Sequence, residues 1–380
     1  IANLVGLVLI CLAVVQAAVN LTRHGYVYPT IDKAVAEQHS TPSLDSPFSG
    51  RQYPDIYFVV LDAYARADML QQFYGVDNSP FLEALRTRGF FVADEASTSY
   101  TDTTLSLPAC LNMDYIENLF KDTPVTRARL DAMCQESRAH QILKNHGYML
   151  VGFDSEFRFS KPGRIFDREM AFPRPWWIPT EFELLLLNYT PLLRALRYAG
   201  LDFSHEMWRR HILFVLNNLH TPAKENPWQP VYVQAHIIAP HAPFVFRADG
   251  TPREPSGVFT LNPTLDPGEW RELYIRYYAE QVLGLNRHVL DAVDNILSLT
   301  SRHAAIVLVS DHGGPKLENV YEPGRYFNLV AVRLPNSDSN PFPSDMNLVE
   351  LFPRLFKELL GIELPLPTPP ENSTYTTLIP

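Results

Sequence analysis

The sequence predicts an α/β fold with a mostly parallel central sheet. Apolar runs with the character of buried strands alternate along the chain with amphipathic segments of helical periodicity. Two of the strand-like runs lead directly into acidic residues, "DIYFVVLDAY" into Asp62 and "AAIVLVSDHGG" into Asp311. Because ligands bind beyond the carboxyl ends of the strands in such sheets, the two carboxylates indicate where a site should lie.

The remaining elements follow in order along the chain. Further strands are predicted at 90–96, 148–156, 230–238 and 327–335, and helices at 79–90, 126–148, 268–299 and 345–361. In the first of these helices Ser79 is the expected N-cap and Pro80 lies in the first turn, and the second is expected to end at Gly147. Together they define a domain over 53–362, followed by an irregular, proline-rich tail at 363–380.

The first 20 residues carry no charge and are almost wholly apolar. This length is what a helix needs to cross a bilayer, so 1–20 is predicted as a transmembrane helix. It lacks a basic leading region and is interpreted as the last span of a longer membrane region rather than as a signal peptide. A buried core helix is the alternative. A polar linker at 21–52 would join the span to the domain.

A segment at about 160–228 interrupts the alternation and is interpreted as an insertion. It contains a tryptophan-rich amphipathic stretch, 173–201. Paired tryptophans and a dense apolar face favour a membrane interface, and an ordinary helix packed on the core is the alternative.

Composition excludes some functions. The chain has 42 acidic and 32 basic residues, a net charge of −10 and no basic run, so nucleic acid is not an expected partner. Three cysteines are too few for a disulfide scaffold. Cys110 and Cys134 are either paired or two separate buried thiols.

Two groups of residues suit a metal ion. Asp311 and His312 leave a strand on a tight turn, and their oxygen and nitrogen atoms suit Zn²⁺ or Mn²⁺; the alternative is a polar turn. Asp62 ends a buried strand and needs a cation, which would be either Arg66 or a metal. In "HIIAPHAPF", His236 and His241 flank a turn after another strand.

The run "SYTDTTLSLPACLN" offers hydroxyl groups at the start of a predicted helix, within whose first turn Pro108 is expected, or just ahead of it. A hydroxyl becomes a nucleophile when a metal or base lowers its pKa, and a helix N-terminus favours an anion. The alternative is a threonine N-cap with no chemical role.

Taken in this order, the acidic strand end, the threonine-bearing helix start, the "PHAPF" turn and the final "SDHG" resemble the alkaline phosphatase superfamily. The most similar branch is the membrane-anchored, sulfatase-like one, which includes lipoteichoic acid synthases and phosphoethanolamine transferases. The resemblance runs from about Pro54 to Gly361 and weakens across 160–228. It implies a three-layer α/β/α sandwich on the extracytoplasmic side of the inner (cytoplasmic) membrane.

The resemblance also implies roles for individual residues. It implies one divalent metal, Zn or Mn with Mg or Ca as alternatives, held by Asp62, Thr103, Asp311 and His312. Substrate-binding roles are expected for His236, His241, Ser106 and Arg66, and a second metal is the alternative ligand of the two histidines. The transferases usually carry Glu in place of Asp62, and they carry a further His downstream of Asp-His-Gly that this chain lacks.

Two registers identify the nucleophile. In sulfatases the nucleophile lies nine positions before the Thr of a Leu-Thr-Gly, and aligning Leu111 and Asn112 with that Leu-Thr gives Thr103. In the transferases the nucleophilic Thr lies three positions before a Ser-x-Pro, and Ser106 to Pro108 again gives Thr103. Thr101 and Thr104 are the alternatives.

The expected function is phosphoryl transfer from a lipid-linked or glycan phosphoester at the membrane, as hydrolase or transferase. The Cys-x-Pro-x-Arg of sulfatases is absent. A sulfatase-like hydrolase of another ester, or a non-catalytic protein that binds an envelope polymer, is the alternative.

Overall fold

The computed structural model describes residues 53–155, 158–173, 203–253, 269–300, 303–314, 322–335 and 341–370. All of them belong to one compact unit within Thr41–Pro380. The predicted membrane span, the linker and the tryptophan-rich stretch beyond Pro173 lie outside these ranges. Within them, no helix combines the length and the apolarity needed to cross a membrane.

Seven strands and ten helices make up the described fold. The strands are β1 (Asp55–Leu61), β2 (Phe91–Val92), β3 (Met149–Phe153), β4 (Arg168–Met170), β5 (Val231–Ile237), β6 (Ala304–Val309) and β7 (Val330–Arg333). The helices are α1 (Ala67–Tyr74), α2 (Ser79–Thr87), α3 (Thr103–Asn112), α4 (Ile116–Leu119), α5 (Arg127–Gln135), α6 (Arg138–Asn145), α7 (Phe203–Asn218), α8 (Thr221–Glu225), α9 (Glu269–Leu299) and α10 (Leu351–Leu360). Short 3₁₀ turns lie at Arg158–Ser160, Glu322–Tyr326 and Leu348–Glu350.

The strands form one mixed sheet in the order β2-β7-β6-β1-β5-β3-β4. The pairs β1–β5, β1–β6, β3–β5 and β3–β4 are parallel, and only β7 runs against its neighbours β6 and β2 among the pairs described. The predicted α/β fold with a mostly parallel sheet is therefore confirmed. All seven residues of the central strand β1 are buried, because helices cover both of its faces.

Alternation along β1 separates two apolar cores. Tyr57, Val59 and Leu61 pack with side chains from α1, α2, α7 and α9. Their neighbours Ile56, Phe58 and Val60 pack with α3, α5, α6 and α10. The described residues therefore form a three-layer α/β/α arrangement, and α3 lies on the β1 face that carries Val60.

Several predicted boundaries differ from the structure. The single helix expected at 126–148 is two helices, since the Ser137 side chain accepts a hydrogen bond from the backbone of His140 and caps a new helix. Helix α2 begins at Ser79 itself, so Asn78 rather than Ser79 occupies the N-cap. Pro108 is the sixth residue of α3, beyond the first turn in which it was expected.

Part of the segment interpreted as an insertion belongs to the central fold. Strand β4 extends the sheet beside β3, and α7 contributes Ile212 and Leu216 to the core that it shares with α9. Residues 361–370 contain neither helix nor strand, and the rest of the predicted irregular tail lies outside the described residues. Cys110 and Cys134 are both free, buried thiols.

Candidate metal and phosphoryl-transfer site

The three central strands bring the predicted acidic residues together. Strands β5 and β6 flank β1, and both His236 and Val309 lie opposite Val60 in the sheet. Asp62 and Asp311 each follow two residues beyond this level. Paired residues of neighbouring strands share a face, so His236 lies with Val60 on the face that packs against α3, and Asp62 and Asp311 lie just beyond the ends of β1 and β6.

Their atoms converge closely enough to hold a cation. One ligand atom from each of Asp62, His236 and Asp311 lies within 4.8 Å of the others. Asp62 Oδ1 and Asp311 Oδ2 are buried and accept no hydrogen bond from a described residue. Because buried carboxylate oxygens without donors are costly, a cation between them fits this geometry, and the oxygen and nitrogen donors suit Zn²⁺ or Mn²⁺.

His312 completes the cluster. Its Nε2 lies 3.5 Å from Asp311 Oδ2 and 3.8 Å from Asp62 Oδ1. Its Nδ1 lies 2.8 Å from the carbonyl of Gly313. Because a carbonyl only accepts, Nδ1 carries a hydrogen and donates it, which leaves Nε2 as the ring atom that faces the two carboxylates. Nε2 is therefore the atom of His312 that could bind a metal.

His241 lies beside the cluster and keeps one nitrogen available. Its backbone N–H donates to the carbonyl of Asp62 at 3.1 Å, and its Nδ1 donates to the carbonyl of Ala242 at 2.8 Å. The ring is half-buried. In the neutral ring the lone pair on Nε2 therefore remains for a substrate or a second cation.

The three histidines set the charge state of Asp62. Burial raises the pKa of this carboxyl, but His241, His236 and His312 together lower it, and the net pKa lies well below its ordinary value. Asp62 is held as a carboxylate. Arg66 is not its partner: the guanidinium binds both carboxylate oxygens of Asp68 and lies over the ring of Phe327.

A strained turn orients Asp62. The next residue, Ala63, has a φ of 61°, a left-handed conformation that is uncommon for a residue with a side chain. Its N–H donates to Asp311 Oδ1 at 3.2 Å, and its carbonyl accepts a hydrogen bond from the Tyr278 hydroxyl at 2.7 Å. Tyr278, on α9, also accepts a hydrogen bond from the Ala65 backbone at 3.1 Å. The second carboxylate and α9 therefore hold the turn that points Asp62 into the site.

The start of α3 distinguishes the three threonines. Asp102 caps the helix, and its Oδ1 accepts hydrogen bonds from the Thr104 backbone N–H at 2.8 Å and the Thr104 hydroxyl at 2.5 Å. Thr101 precedes the helix. Thr103 is the first helical residue and is buried, yet its hydroxyl makes no hydrogen bond within the described part of the chain. The predicted alternative of a threonine cap is therefore wrong, because Asp102 performs that role.

Ser106 ties α3 to the acidic cluster. Its hydroxyl donates to the backbone carbonyl of Asp311 at 2.5 Å and lies 2.9 Å from the Thr98 hydroxyl. Residues three apart share a helix face, so Thr103 lies on the face of α3 that meets the Asp311 loop, one turn nearer the N-terminus. The free N–H groups and the dipole at this end favour an anion there.

Two residues near the cluster are absent from the sequence-based predictions. Ser160 lies 2.6 Å from His236 Nδ1 and 2.8 Å from the Ser155 hydroxyl, so it orients the His236 ring from within the segment interpreted as an insertion. Arg325 donates to the carbonyls of Thr101 and Gly314. No local pattern marks either residue, because both contacts arise only when distant segments pack together.

Comparisons with known proteins define the fold. No family model and no curated protein matches the chain. The zinc-complexed C-terminal periplasmic domain of EptC from Escherichia coli is similar, with 15% identity over 83% of this chain and 84% of that chain and a TM-score of 0.51. The soluble domain of lipooligosaccharide phosphoethanolamine transferase A from Neisseria meningitidis matches with 13% identity over 82% and 89% of the two chains and a TM-score of 0.51.

Both similar domains come from the group of proteins that the sequence motifs resemble. Identities of 13% and 15% establish a shared fold and nothing finer. The sequence resemblance to the transferases of the alkaline phosphatase superfamily is therefore confirmed at the level of the fold.

Proposed function

We propose that this chain is a metal-dependent phosphoryl-transfer enzyme whose nucleophile is Thr103. One observation carries the proposal. Two buried carboxylates, each with an oxygen that accepts no hydrogen bond from any residue the structure describes, converge beside a helix start whose cap is Asp102. The acidic cluster needs a cation, and the adjacent Thr103 hydroxyl is not used in capping. The fold shared with two phosphoethanolamine transferase domains supports the same reaction class.

Asp62, Asp311 and His312 would hold the metal together with Thr103, and His236 is a further candidate ligand because it belongs to the same cluster. When bound, a divalent cation lowers the pKa of a coordinated hydroxyl and neutralises charge on a phosphoryl group. Zinc in the similar EptC domain supports Zn²⁺ as the metal to test first.

The reaction would proceed in two displacements. In the first, Thr103 Oγ1 releases its proton to water and attacks phosphorus. The new O–P bond forms as the bond from phosphorus to the leaving oxygen breaks, and the leaving oxygen takes a proton from solvent. The oxygen of water or of an acceptor alcohol then attacks phosphothreonine and loses its proton. The bond from phosphorus to Thr103 Oγ1 breaks, and Oγ1 takes up a proton from solvent. His241 would bind a phosphoryl oxygen or the leaving group, because its ring adjoins Asp62.

The substrate class we propose is a phosphoester of the cell envelope, either lipid-linked or on a glycan. Both similar domains belong to phosphoethanolamine transferases, and the EptC domain is periplasmic. The apolar sequence at 1–20 supports attachment to a membrane, and the periplasmic location of the similar EptC domain supports the extracytoplasmic side of the inner membrane.

Mass spectrometry of Thr103 tests the proposal directly. The zinc-loaded chain is incubated with phosphatidylethanolamine, phosphatidylglycerol or bis(p-nitrophenyl) phosphate, and peptides covering 99–112 are analysed for a phosphorus-containing adduct. We expect the adduct on Thr103, with the donor identified by its mass. An adduct that accumulates until an acceptor alcohol is added indicates a transferase, whereas one that turns over in water indicates a hydrolase.

Matched threonine variants provide the control. Thr103→Ala should remove the adduct and turnover while the chain remains folded. Thr104→Ala should keep both, because the Thr104 hydroxyl bonds to the cap and not to the cluster. An adduct on Thr101 or Thr104, or turnover that survives Thr103→Ala, would refute the assignment. A folded chain that never binds stoichiometric metal would favour the non-catalytic envelope-binding protein.

A further inference from the structure

Once a phosphoester binds, the acidic cluster and its metal would carry excess negative charge. Asp62 and Asp311 together carry two negative charges, which one divalent cation neutralises. A phosphoester then adds one or two more negative charges to a largely buried site. A fixed cation is needed beside the phosphoryl oxygens, and arginine supplies one that remains protonated in any protein environment.

Arg325 lies next to the loop that carries Asp311 and His312. The 3₁₀ turn around it packs against the Asp311–Gly314 loop, where the Gly313 N–H donates to the Arg325 carbonyl at 2.7 Å. The approach is so close that a Cβ on Gly313 would lie 2.3 Å from the carbonyl oxygen of Gly324. The Arg325 backbone is therefore fixed directly beside the residue that follows His312.

The side chain of Arg325 extends from this loop to the other half of the site. Its guanidinium donates to the carbonyl of Thr101, two residues before Thr103, and contacts the carbonyl of Gly314 at 3.4 Å. It thereby bridges the segment that carries the metal-ligand candidates Asp311 and His312 and the segment that carries the nucleophile. A guanidinium has five N–H donors, so donors remain for a ligand between the two segments.

Arg325 and Asp62 both influence the pKa of one buried tyrosine. Burial raises the pKa of the Tyr274 phenol, nearby Arg325 lowers it and nearby Asp62 raises it, and the net pKa is well above the ordinary value. Tyr274 is therefore within electrostatic reach of both the guanidinium and the acidic cluster. Arg66 is not an equivalent cation, because it is bound to Asp68.

We propose that Arg325 binds the non-bridging oxygens of the transferred phosphoryl group and serves as the fixed positive charge opposite the metal cluster. This inference rests on the proposed function and adds a substrate-binding residue to it. It predicts a site that needs one metal ion, with the guanidinium supplying the second centre of positive charge. It also predicts a preference for phosphorus centres that present two charged or partly charged oxygens to a planar donor.

Steady-state kinetics of the zinc-loaded chain on bis(p-nitrophenyl) phosphate test the inference. Arg325→Gln should lower kcat/KM by roughly tenfold to a hundredfold, the range for loss of charged hydrogen bonds. Arg325→Lys should recover part of this, because it keeps the charge and loses the planar fork. Arg88→Gln is the matched control, since Arg88 is a partly exposed arginine that pairs with Asp294.

Chemical rescue separates a charge role from a structural one. Guanidinium added at non-denaturing concentration should raise the activity of Arg325→Ala, whereas urea, which has the same shape without the charge, should not. Equal effects of the two additives, or wild-type kcat/KM in Arg325→Gln, would overturn the assignment while leaving Thr103 chemistry intact. If the wild-type chain binds zinc but turns over no phosphoester, the proposed function itself fails, and the Arg325 inference fails with it.

Discussion

Replacing Asp311 with asparagine should have opposite effects on the stability of the metal-free and the metal-loaded chain. In the metal-free chain, ligand atoms of Asp62 and Asp311 lie within 4.8 Å of each other. At this separation and an effective dielectric constant of about 20, Coulomb's law gives a repulsion of ~3 kcal/mol. Asparagine removes this charge, keeps an oxygen for the Ala63 N–H, and adds an N–H donor among acceptors.

The assay is urea unfolding at pH 8.5, where an ordinary imidazole is neutral, with and without zinc. The metal-free Asp311→Asn chain should be more stable than wild type by about 1–3 kcal/mol, the lower figure allowing for relaxation and solvent. Zinc at a thousand times its dissociation constant should stabilise wild type by ~4 kcal/mol, but the variant by less than ~1 kcal/mol if its affinity falls a thousandfold.

An exposed carboxylate provides the control. Asp94→Asn breaks a surface pair with Arg86, which is worth about 0–1 kcal/mol, and should leave the response to zinc unchanged. The reasoning is refuted if Asp311→Asn destabilises the metal-free chain by more than ~1 kcal/mol, or if zinc stabilises the variant and wild type equally. Either result would mean that the acidic cluster is held together by protein contacts rather than built for a cation.

Three further predictions concern Ser160 and Tyr278, which surround the cluster, and Asp62 within it. Ser160→Ala should weaken zinc binding about 10- to 100-fold in competition with a chromophoric chelator, and Ser160→Thr should restore it, because the hydroxyl orients His236. Tyr278→Phe should lower the free energy of unfolding by about 1–3 kcal/mol and reduce turnover, since the Ala63 carbonyl loses its buried donor; an unchanged urea midpoint would contradict this. Asp62 has a folded-state pKa below its unfolded value of about 3.9, so its contribution to stability is present above that pH and is lost as the pH falls through the folded pKa. In the metal-free chain, Asp62→Asn should therefore flatten the pH dependence of stability below about pH 4 relative to wild type.

The parts of the site that lie at strand ends were predictable from sequence. Asp62 and Asp311 each follow an apolar run without polar residues, which is typical of a buried strand. A parallel sheet brings the carboxyl ends of such strands to one edge. From the sequence His236 was expected to bind the substrate or a second metal, and the β1–β5 register places it in one cluster with Asp62 and Asp311. That register was not available from the sequence, because the neighbour of β1 is a strand some 170 residues away along the chain.

Other features depended on packing rather than on pattern. The break at Ser137 could have been found from its capping residue, which outweighs the helical periodicity on either side. The link between Ser160 and His236 could not, because it joins a 3₁₀ turn to a strand 76 residues away. Arg325 was equally hidden, since its position depends on a close backbone contact at Gly313, where a side chain would clash with the carbonyl oxygen of Gly324.

The threonine run shows how a local rule can sharpen a chemical assignment. Aspartate is a stronger N-cap than threonine, so "TDTT" should begin a helix at the residue after Asp102. The rule leaves Thr101 outside the helix. In the structure the Thr104 hydroxyl donates a hydrogen bond to the capping Asp102 and is therefore already used. Thr103 is then the hydroxyl at the helix start that is not needed for structure, and the Ser106 bond to Asp311 explains why this start faces the carboxylates. The proposed nucleophile and the proposed cation site are therefore joined through one turn of α3, so that a change at Ser106 should alter Thr103 reactivity and metal binding together.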